Sequence, residues 1–211
     1  MGRLKKLSHK IISIQHQKRS KNRYNIIFES GDVFGISGDV LISSNLSIGR
    51  CLSDEKLFKL KENEALQKIK EQIMHLLSYR ARSRFELFTK MYSRGFEKNQ
   101  VYNVIDELES KGYVDDKEFS KMYALHLVKS KYLGKIAVKH RFLKHRISPE
   151  ILDPILNELY IEYPTDTLIQ KIINKKKLEF TPELISDQKL MSHIKRKGFS
   201  WEEISSALNS F

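Results

Sequence analysis

Apolar residues recur at helical spacing between residue 87 and the end of the chain, and the same pattern occurs three times. When the segments "KMYSRGFEKNQVYNVIDEL", "RFLKHRISPEILDPILNEL" and "HIKRKGFSWEEISSALNSF" are aligned, Phe96, Ile147 and Phe199 coincide. In all three copies apolar residues follow five, nine and twelve positions later, and others precede by five and nine positions. Steps of three to five residues on both sides of a break predict two amphipathic helices joined by a tight turn.

Residues that begin and end helices occur at the expected places in these copies. Gly95 and Gly198 can adopt the left-handed conformation that follows a helix end. Ser148 before a proline, and Ser200 three residues before a glutamate, are typical of helix N-termini. One more helical stretch precedes each pair, and these stretches are 64–79, 116–132 and 165–178. Each copy is therefore predicted to contain three helices.

The first 60 residues do not show this repeat. The runs "KIISIQHQ", "RYNIIFES" and "DVFGIS" are rich in β-branched and aromatic residues, and "SGD" separates the last two. They predict a β-hairpin or a three-stranded sheet, with strand confined to roughly the first 40 residues. A helix is then expected to begin after the cap residue Ser53.

Together these patterns predict a mainly α fold, in which three tandem three-helix repeats form an elongated, curved body behind a small N-terminal β-hairpin or sheet. The predicted domains are an N-terminal β-containing extension with a short helix at 1–62, then repeats at 63–114, 115–163 and 164–211.

Charge narrows the choice of partner. The 211 residues carry a formal net charge of +12 at pH 7, which favours a polyanion: nucleic acid, a membrane surface or an acidic protein face. Cys51 is the single cysteine, so a reducing compartment is favoured over a disulfide framework. No run of about 18 apolar residues occurs, so no membrane span is predicted and a cytoplasmic protein is expected.

Catalytic signals are absent from the sequence. It contains no phosphate-binding loop motif, no G-x-S-x-G elbow and no H-E-x-x-H metal motif. His140 and His145 lie five residues apart, which fits one helical face poorly for metal ligation. Asp115 and Asp116 stand where a helix is expected to begin, so capping explains them without acid–base chemistry. We expect no enzyme, no metal and no cofactor.

The distribution of charge over the repeats indicates how a polyanion would be bound. The third helices, 97–108, 148–159 and 200–211, carry three, three and two acids. A recognition helix in a DNA groove would bring those acids towards phosphates, which argues against base reading by a helix-turn-helix. The second helices, 84–95, 135–146 and 187–198, carry three, five and four Lys or Arg. They predict a basic ribbon along one side, although lysines on a solvated face remain the alternative.

Four segments resemble the RecX family of bacterial RecA regulators: "LLSYRARSRFEL" (76–87), "LESKGYVDDKEFSKMY" (108–123), "LGKIAVKHRFLKHRIS" (133–148) and "IKRKGFSWEEISSAL" (194–208). The R-x-R-S-x-x-E-L signature, which begins at Arg80, is the strongest part of the resemblance. Arg146 departs from it, because the family pattern usually has glycine at that turn, and Ser120 replaces a usual alanine.

This resemblance implies a protein that binds the RecA–single-stranded DNA filament and modulates, most often inhibits, its recombinase, ATPase and coprotease activities. A general DNA-binding protein that competes for single strands is the alternative. We expect the protein to bind single-stranded DNA first and double-stranded DNA second. We also expect it to be a monomer. The residues predicted to contact the filament or DNA are Arg80, Arg82, Arg84, Lys129, Lys131, Lys135, Lys139, Arg141, Lys144, Arg146, Lys195, Arg196 and Lys197.

Overall fold

A computed structural model describes residues 9–18, 20, 22–179 and 181–209 of the chain. These residues form two compact units. The first takes the described residues up to Tyr79 together with Lys90–Glu107, and the second takes Arg80–Thr89 and the described residues from Leu108 onward. The mainly helical fold with a small N-terminal antiparallel sheet is confirmed. The domain boundaries drawn from the repeats stay a prediction.

The N-terminal sheet has four antiparallel strands in the order β3-β2-β1-β4. Their bounds are β1 His9–His16, β2 Arg23–Phe28, β3 Val33–Ser37 and β4 Cys51–Leu52. The three predicted strands are present, but the prediction that strand ends near residue 40 is wrong. The two residues of β4 are too few to show an alternating pattern, and they pair with the first two residues of β1.

Ten α-helices lie in the described residues. They are α1 Gly38–Ser43, α2 Asp54–Leu77, α3 Arg84–Tyr92, α4 Lys98–Ser110, α5 Asp116–Leu125, α6 Lys135–Phe142, α7 Pro149–Glu162, α8 Thr165–Lys175, α9 Gln188–Arg196 and α10 Trp201–Asn209. A π-helical turn extends α5 through Ser130, and a 3-10 turn extends α6 through His145. The helix predicted after Ser53 and the stretch predicted at 64–79 are one helix, α2, of 24 residues.

A buried carboxylate joins the sheet to α2 within the first unit. Glu64 is 1% exposed, and its Oε1 lies 2.5 Å from Nη2 of Arg23 in β2. Its other oxygen accepts a hydrogen bond of 2.8 Å from the backbone N–H of Ser37 at the end of β3. Both carboxylate oxygens are thus satisfied by groups on two neighbouring strands, which fixes α2 against the apolar side of the sheet.

The repeat positions form the hydrophobic interior, as predicted. Every described position of the three aligned patterns is buried except Phe96 and Ile147, which are partly buried. Phe211, the last predicted position, lies outside the described residues. In the second unit, one continuous cluster of buried side chains runs from Phe119 in α5 to Leu208 in α10. The middle and third helical copies therefore share a core.

The predicted helix caps are largely confirmed. Ser53 and Asp115 accept hydrogen bonds from backbone N–H groups of the first turns of α2 and α5. Ser200 and Glu203 form the reciprocal pair of a capping box, with distances of 2.7 and 3.2 Å. Ser148 is the N-cap of α7, but its side chain makes no bond to that helix's free N–H groups.

Arg146, where the family pattern has glycine, keeps the backbone conformation of glycine. Its φ is +52°, against +87° for Gly95 and +88° for Gly198 at the equivalent turns. The middle turn is therefore of the same left-handed type, with the strain that a side chain brings there. The Arg146 guanidinium carbon lies 4.1 Å from the centre of the Phe85 ring, a cation–π contact that offsets part of this strain.

Two glycines of the second unit meet backbone to backbone. The N–H of Gly134, the N-cap of α6, donates a 2.8 Å hydrogen bond to the carbonyl of Lys197. A Cβ on Gly134 would lie 2.3 Å from the carbonyl oxygen of Gly198, and one on Gly198 would lie 2.3 Å from the amide nitrogen of Ala137. No side chain fits at either position, so this contact holds the start of α6 directly against the end of α9.

Candidate nucleic-acid interface

Two arginines of the signature segment, Arg80 and Arg82, contact the same carboxylate. Glu86, in the first turn of α3, is contacted by both guanidinium nitrogens of Arg80, at 2.7 and 3.1 Å, and by the guanidinium of Arg82. Burial raises the pKa of Glu86, but hydrogen bonds and charge from Arg80 and Arg82 outweigh this, so its pKa lies below the ordinary value. Arg82 is largely buried, and this group stabilises the segment before α3.

Arg84 also has acidic partners. Its guanidinium contacts Glu109 near the end of α4, and its backbone N–H donates a 2.8 Å hydrogen bond to Asp116. Burial raises the pKa of Asp116, opposed by that N–H. The carboxyl of Asp116 therefore fixes the start of α3, which confirms a structural use of the acid that the sequence placed at a helix start.

A buried histidine connects the signature segment with the middle repeat inside the second unit. His145 is 6% exposed, and its Nδ1 lies 3.2 Å from Oγ of Ser83. Its ring packs among those of Phe119, Tyr123 and Phe142, with centroids 4.8 to 6.2 Å away. Burial, together with the charge of Lys144, lowers the pKa of His145, so the neutral imidazole is favoured. The spacing of His140 and His145 argued against a metal site, but it did not identify which of them would be packed inside the fold.

On α6, two of the predicted cations reach the neighbouring α7. Nζ of Lys139 lies 2.7 Å from Asp153, and Nζ of Lys135 donates a 2.8 Å hydrogen bond to Asn157. Arg141 and Lys144, further along, are exposed and form no ion pair within the described part of the chain. Half of this helix's positive charge therefore serves helix packing, and half faces solvent.

The cations near the end of the chain have mixed surroundings. Nζ of Lys197 donates a 2.7 Å hydrogen bond to the carbonyl of Lys131, which belongs to the segment before α6. Nζ of Lys195 lies 5.0 Å from the ring centre of Trp201, at cation–π distance. Arg196 is exposed and has no ion pair among the described residues.

The structure thus separates the predicted contact residues into two groups. Acids on the third helices neutralise several cations of the second helices, a compensation that counting charges per helix did not anticipate. Among the predicted contact residues, the exposed cations whose side chains have no ion pair, hydrogen bond or cation–π contact with a described residue are Lys129, Lys131, Arg141, Lys144 and Arg196. This second group, named here the free cations, provides the charge available to a polyanion.

A cavity that the sequence did not reveal is lined by one of these residues, Lys131. It has a volume of about 320 Å³. Its walls contain four lysines, a histidine and a tyrosine, together with Ser130 and Ile172; the charged or aromatic ones are Lys131, Tyr132, Lys175, Lys176, His193 and Lys197. Lys175, Lys176 and His193 stand in no repeat position and no family motif, so only the fold brings them together.

The described residues contain no group of three or more His, Cys, Asp or Glu that could hold a metal ion. Across the same residues, every helix is too short or too polar to cross a bilayer.

Comparison with known proteins agrees with the sequence resemblance. Residues 70–108 match the family model described as "RecX, first three-helix domain". The chain is 29% identical to a regulatory protein RecX of Oceanobacillus iheyensis, over 90% of this chain and 72% of that protein. It is 26% identical to that of Clostridium tetani, over 95% and 94% of the two chains.

Solved structures show the same fold. A crystal structure of regulatory protein RecX has a TM-score of 0.71 at 23% identity and covers 96% of this chain and 98% of its own. The structure of RecX from Lactobacillus salivarius has a TM-score of 0.58 at 21% identity and covers 70% and 97%. With a matched three-helix domain and similarity to regulatory proteins RecX over nine-tenths of its length or more, the chain is similar to the RecX family in sequence and shares its fold.

Proposed function

We propose that this protein binds the filament that RecA forms on single-stranded DNA and inhibits its recombinase, ATPase and coprotease activities, acting by binding rather than by catalysis. Similarity to regulatory proteins RecX supports a regulatory role, and the RecA partner comes from the resemblance of the signature segments. One observation carries the binding part of the proposal: the free cations lie on the middle and third repeats, on a chain of net charge +12.

Electrostatics supports a phosphate-rich partner. Cations already paired with carboxylates give little further attraction, whereas exposed, unpaired ones release counterions from DNA phosphates. Lys129, Arg141 and Lys144 lie within 16 residues along the chain, on and around α6, with no acid between them. Such contacts would position the protein on the filament without reading base sequence.

Reversing these three charges tests the proposal. We expect the Lys129→Glu, Arg141→Glu and Lys144→Glu triple variant to fold like the wild type, because exposed unpaired side chains usually change stability by about 0.5 kcal/mol or less. Each lost phosphate contact should lower the magnitude of the log–log salt slope by about 0.7 on single strands. Inhibition of RecA ATPase activity should then require much more protein.

The control reverses Lys61, Lys98 and Lys117, which are also exposed and free of ion pairs among the described residues. It carries the same net charge as the test variant and should still inhibit. ATPase activity is measured while either protein is titrated from substoichiometric amounts. Inhibition that begins only when the DNA is coated indicates the alternative, competition for single strands. A test variant as potent as the wild type would refute the interface.

A further inference from the structure

We propose that the cavity lined by Lys131, Lys175, Lys176, His193 and Lys197 binds a phosphate group of single-stranded DNA, with Tyr132 as its aromatic wall. The inference rests on the proposed function in that the phosphate belongs to the DNA of the filament. It adds Lys175, Lys176 and His193, which no sequence signal identified.

Like charges converge at this cavity. Four lysines from three different segments line a volume of about 320 Å³, and none of the described residues that line it carries a carboxylate. The cations affect one another: burial and the charges of Lys175 and Lys131 lower the pKa of Lys197. Mutual repulsion of this kind destabilises the free protein, and a bound anion would relieve it.

The positive charge at the cavity exceeds what the neighbouring helix C-termini can neutralise. The helices α8 and α9, and the helical turn that ends at Ser130, finish beside the cavity. Each helix C-terminus carries about half a negative charge, so three ends account for roughly one and a half of the four lysine charges. Lys197 neutralises one of these helix ends directly, because its Nζ donates a hydrogen bond to the carbonyl of Lys131. Among the described residues, none of the four lysines forms an ion pair with a carboxylate.

The size and the lining of the cavity suit a phosphate group. A volume of about 320 Å³ admits a phosphate with part of its sugar, and ammonium groups bind phosphate as point charges. Nζ of Lys175 lies 5.7 Å from the centre of the Tyr132 ring, so a cation and an aromatic surface stand together at one wall. Combined basic and aromatic walls are typical of grooves that follow single-stranded nucleic acid.

The test removes two charges that no backbone hydrogen bond depends on. In the Lys175→Gln/Lys176→Gln variant, loss of one phosphate contact should lower the magnitude of the log–log salt slope by about 0.7, which corresponds to about fourfold weaker binding at 0.15 M salt. Binding of a fluorescent thymidine oligonucleotide is measured by anisotropy without RecA. The control, Lys171→Gln/Lys189→Gln, removes the same charge from exposed positions of α8 and α9 and should bind within twofold of wild type.

His193 provides a second readout in the unmodified protein. Burial, and then Lys176, Lys197 and Arg196, lower its pKa in the free state. A phosphate in the cavity would counter those charges, so the imidazole should titrate at higher pH, by NMR, when the oligonucleotide is bound. A pKa of His193 that does not move on binding, or equal loss of affinity in both double variants, would overturn the proposal.

Failure of the cavity and failure of the regulatory function give different results. If the triple variant at Lys129, Arg141 and Lys144 loses DNA binding but the cavity variant does not, the cavity proposal is wrong and the proposed function stands. If the cavity variant alone loses DNA binding while the wild type leaves RecA ATPase unchanged, the cavity is supported and the RecA proposal is wrong.

Discussion

Gly198→Ala should lower the free energy of unfolding more than Gly95→Ala, which is the same change at the equivalent turn of the first repeat. Gly198 has φ +88°, and its backbone lies against the start of α6. An added Cβ would stand 2.3 Å from the amide nitrogen and 2.4 Å from the Cβ of Ala137. Because the nearest atom belongs to a helix backbone, the clash cannot be relieved by a side-chain rotation.

Two costs combine in this variant. A residue with a Cβ in the left-handed conformation costs about 1–2 kcal/mol relative to glycine. Forcing one extra carbon into a closely packed site costs about a further 1–3 kcal/mol. The free energy of unfolding should therefore fall by about 2–5 kcal/mol for Gly198→Ala. Gly95 has φ +87° and open space around it, so Gly95→Ala should lose only the first amount, about 1–2 kcal/mol.

Urea unfolding of both variants measures this difference, followed by helix circular dichroism and by fluorescence. Trp201 is the single tryptophan and lies three residues after Gly198, so its fluorescence reports the affected region. The clash term is the excess destabilisation of Gly198→Ala over Gly95→Ala. If the two variants lose equal stability, the close approach of Gly134 and Gly198 does not stabilise the fold and the reasoning is refuted.

Two further predictions concern buried carboxylates. Glu64→Ala should destabilise the first unit by about 3–5 kcal/mol in chemical denaturation, because it leaves the N–H of Ser37 without its acceptor and leaves Arg23 only the more distant carboxylate of Glu71, at 3.9 Å. An exposed control, Glu62→Ala, should change stability by about 0.5 kcal/mol at most. Glu86 has a lowered pKa in the folded state, so its stabilising effect is fully present above the ordinary value of 4.5 and is lost as pH falls through the lower folded value. The stability difference between wild type and Glu86→Gln should therefore be constant near neutral pH and shrink in acid; a difference that grew in acid would contradict the Arg80–Glu86–Arg82 group.

The repeats could be predicted from the sequence because their signal is hydrophobic periodicity, which local geometry determines. Burial of Leu87, Leu156 and Leu208 follows directly from spacing of three to five residues. Helix caps such as Asp115 could be predicted equally well, because the capping hydrogen bond comes from N–H groups only two or three residues away. Strand β4 was not predicted because its two residues are too few to show an alternating pattern. It is a strand because it pairs with β1.

The candidate interface was harder to predict because charge acts through space. Lys139 and Asp153 are 14 residues apart and belong to helices that the sequence treated as oppositely charged faces, whereas the fold places them at 2.7 Å. Packing can also bring like charges together: Lys131 and Lys176 come from different repeats, yet they line one cavity. Sequence counting gives the sum of charges, but only packing decides which cations remain available to a ligand.

The core shared by the middle and third helical copies limits how a protein of this design can gain or lose length over evolution. A chain shortened at the start of the last copy would divide the shared cluster of buried side chains and uncover the start of α6, where Gly134 and Ala137 lie against the backbone of Gly198. Exposed apolar patches favour aggregation over folding. A deletion of the last copy would therefore be tolerated only with polar substitutions on the newly exposed face. The copies are distinct in the sequence, but they must be retained together.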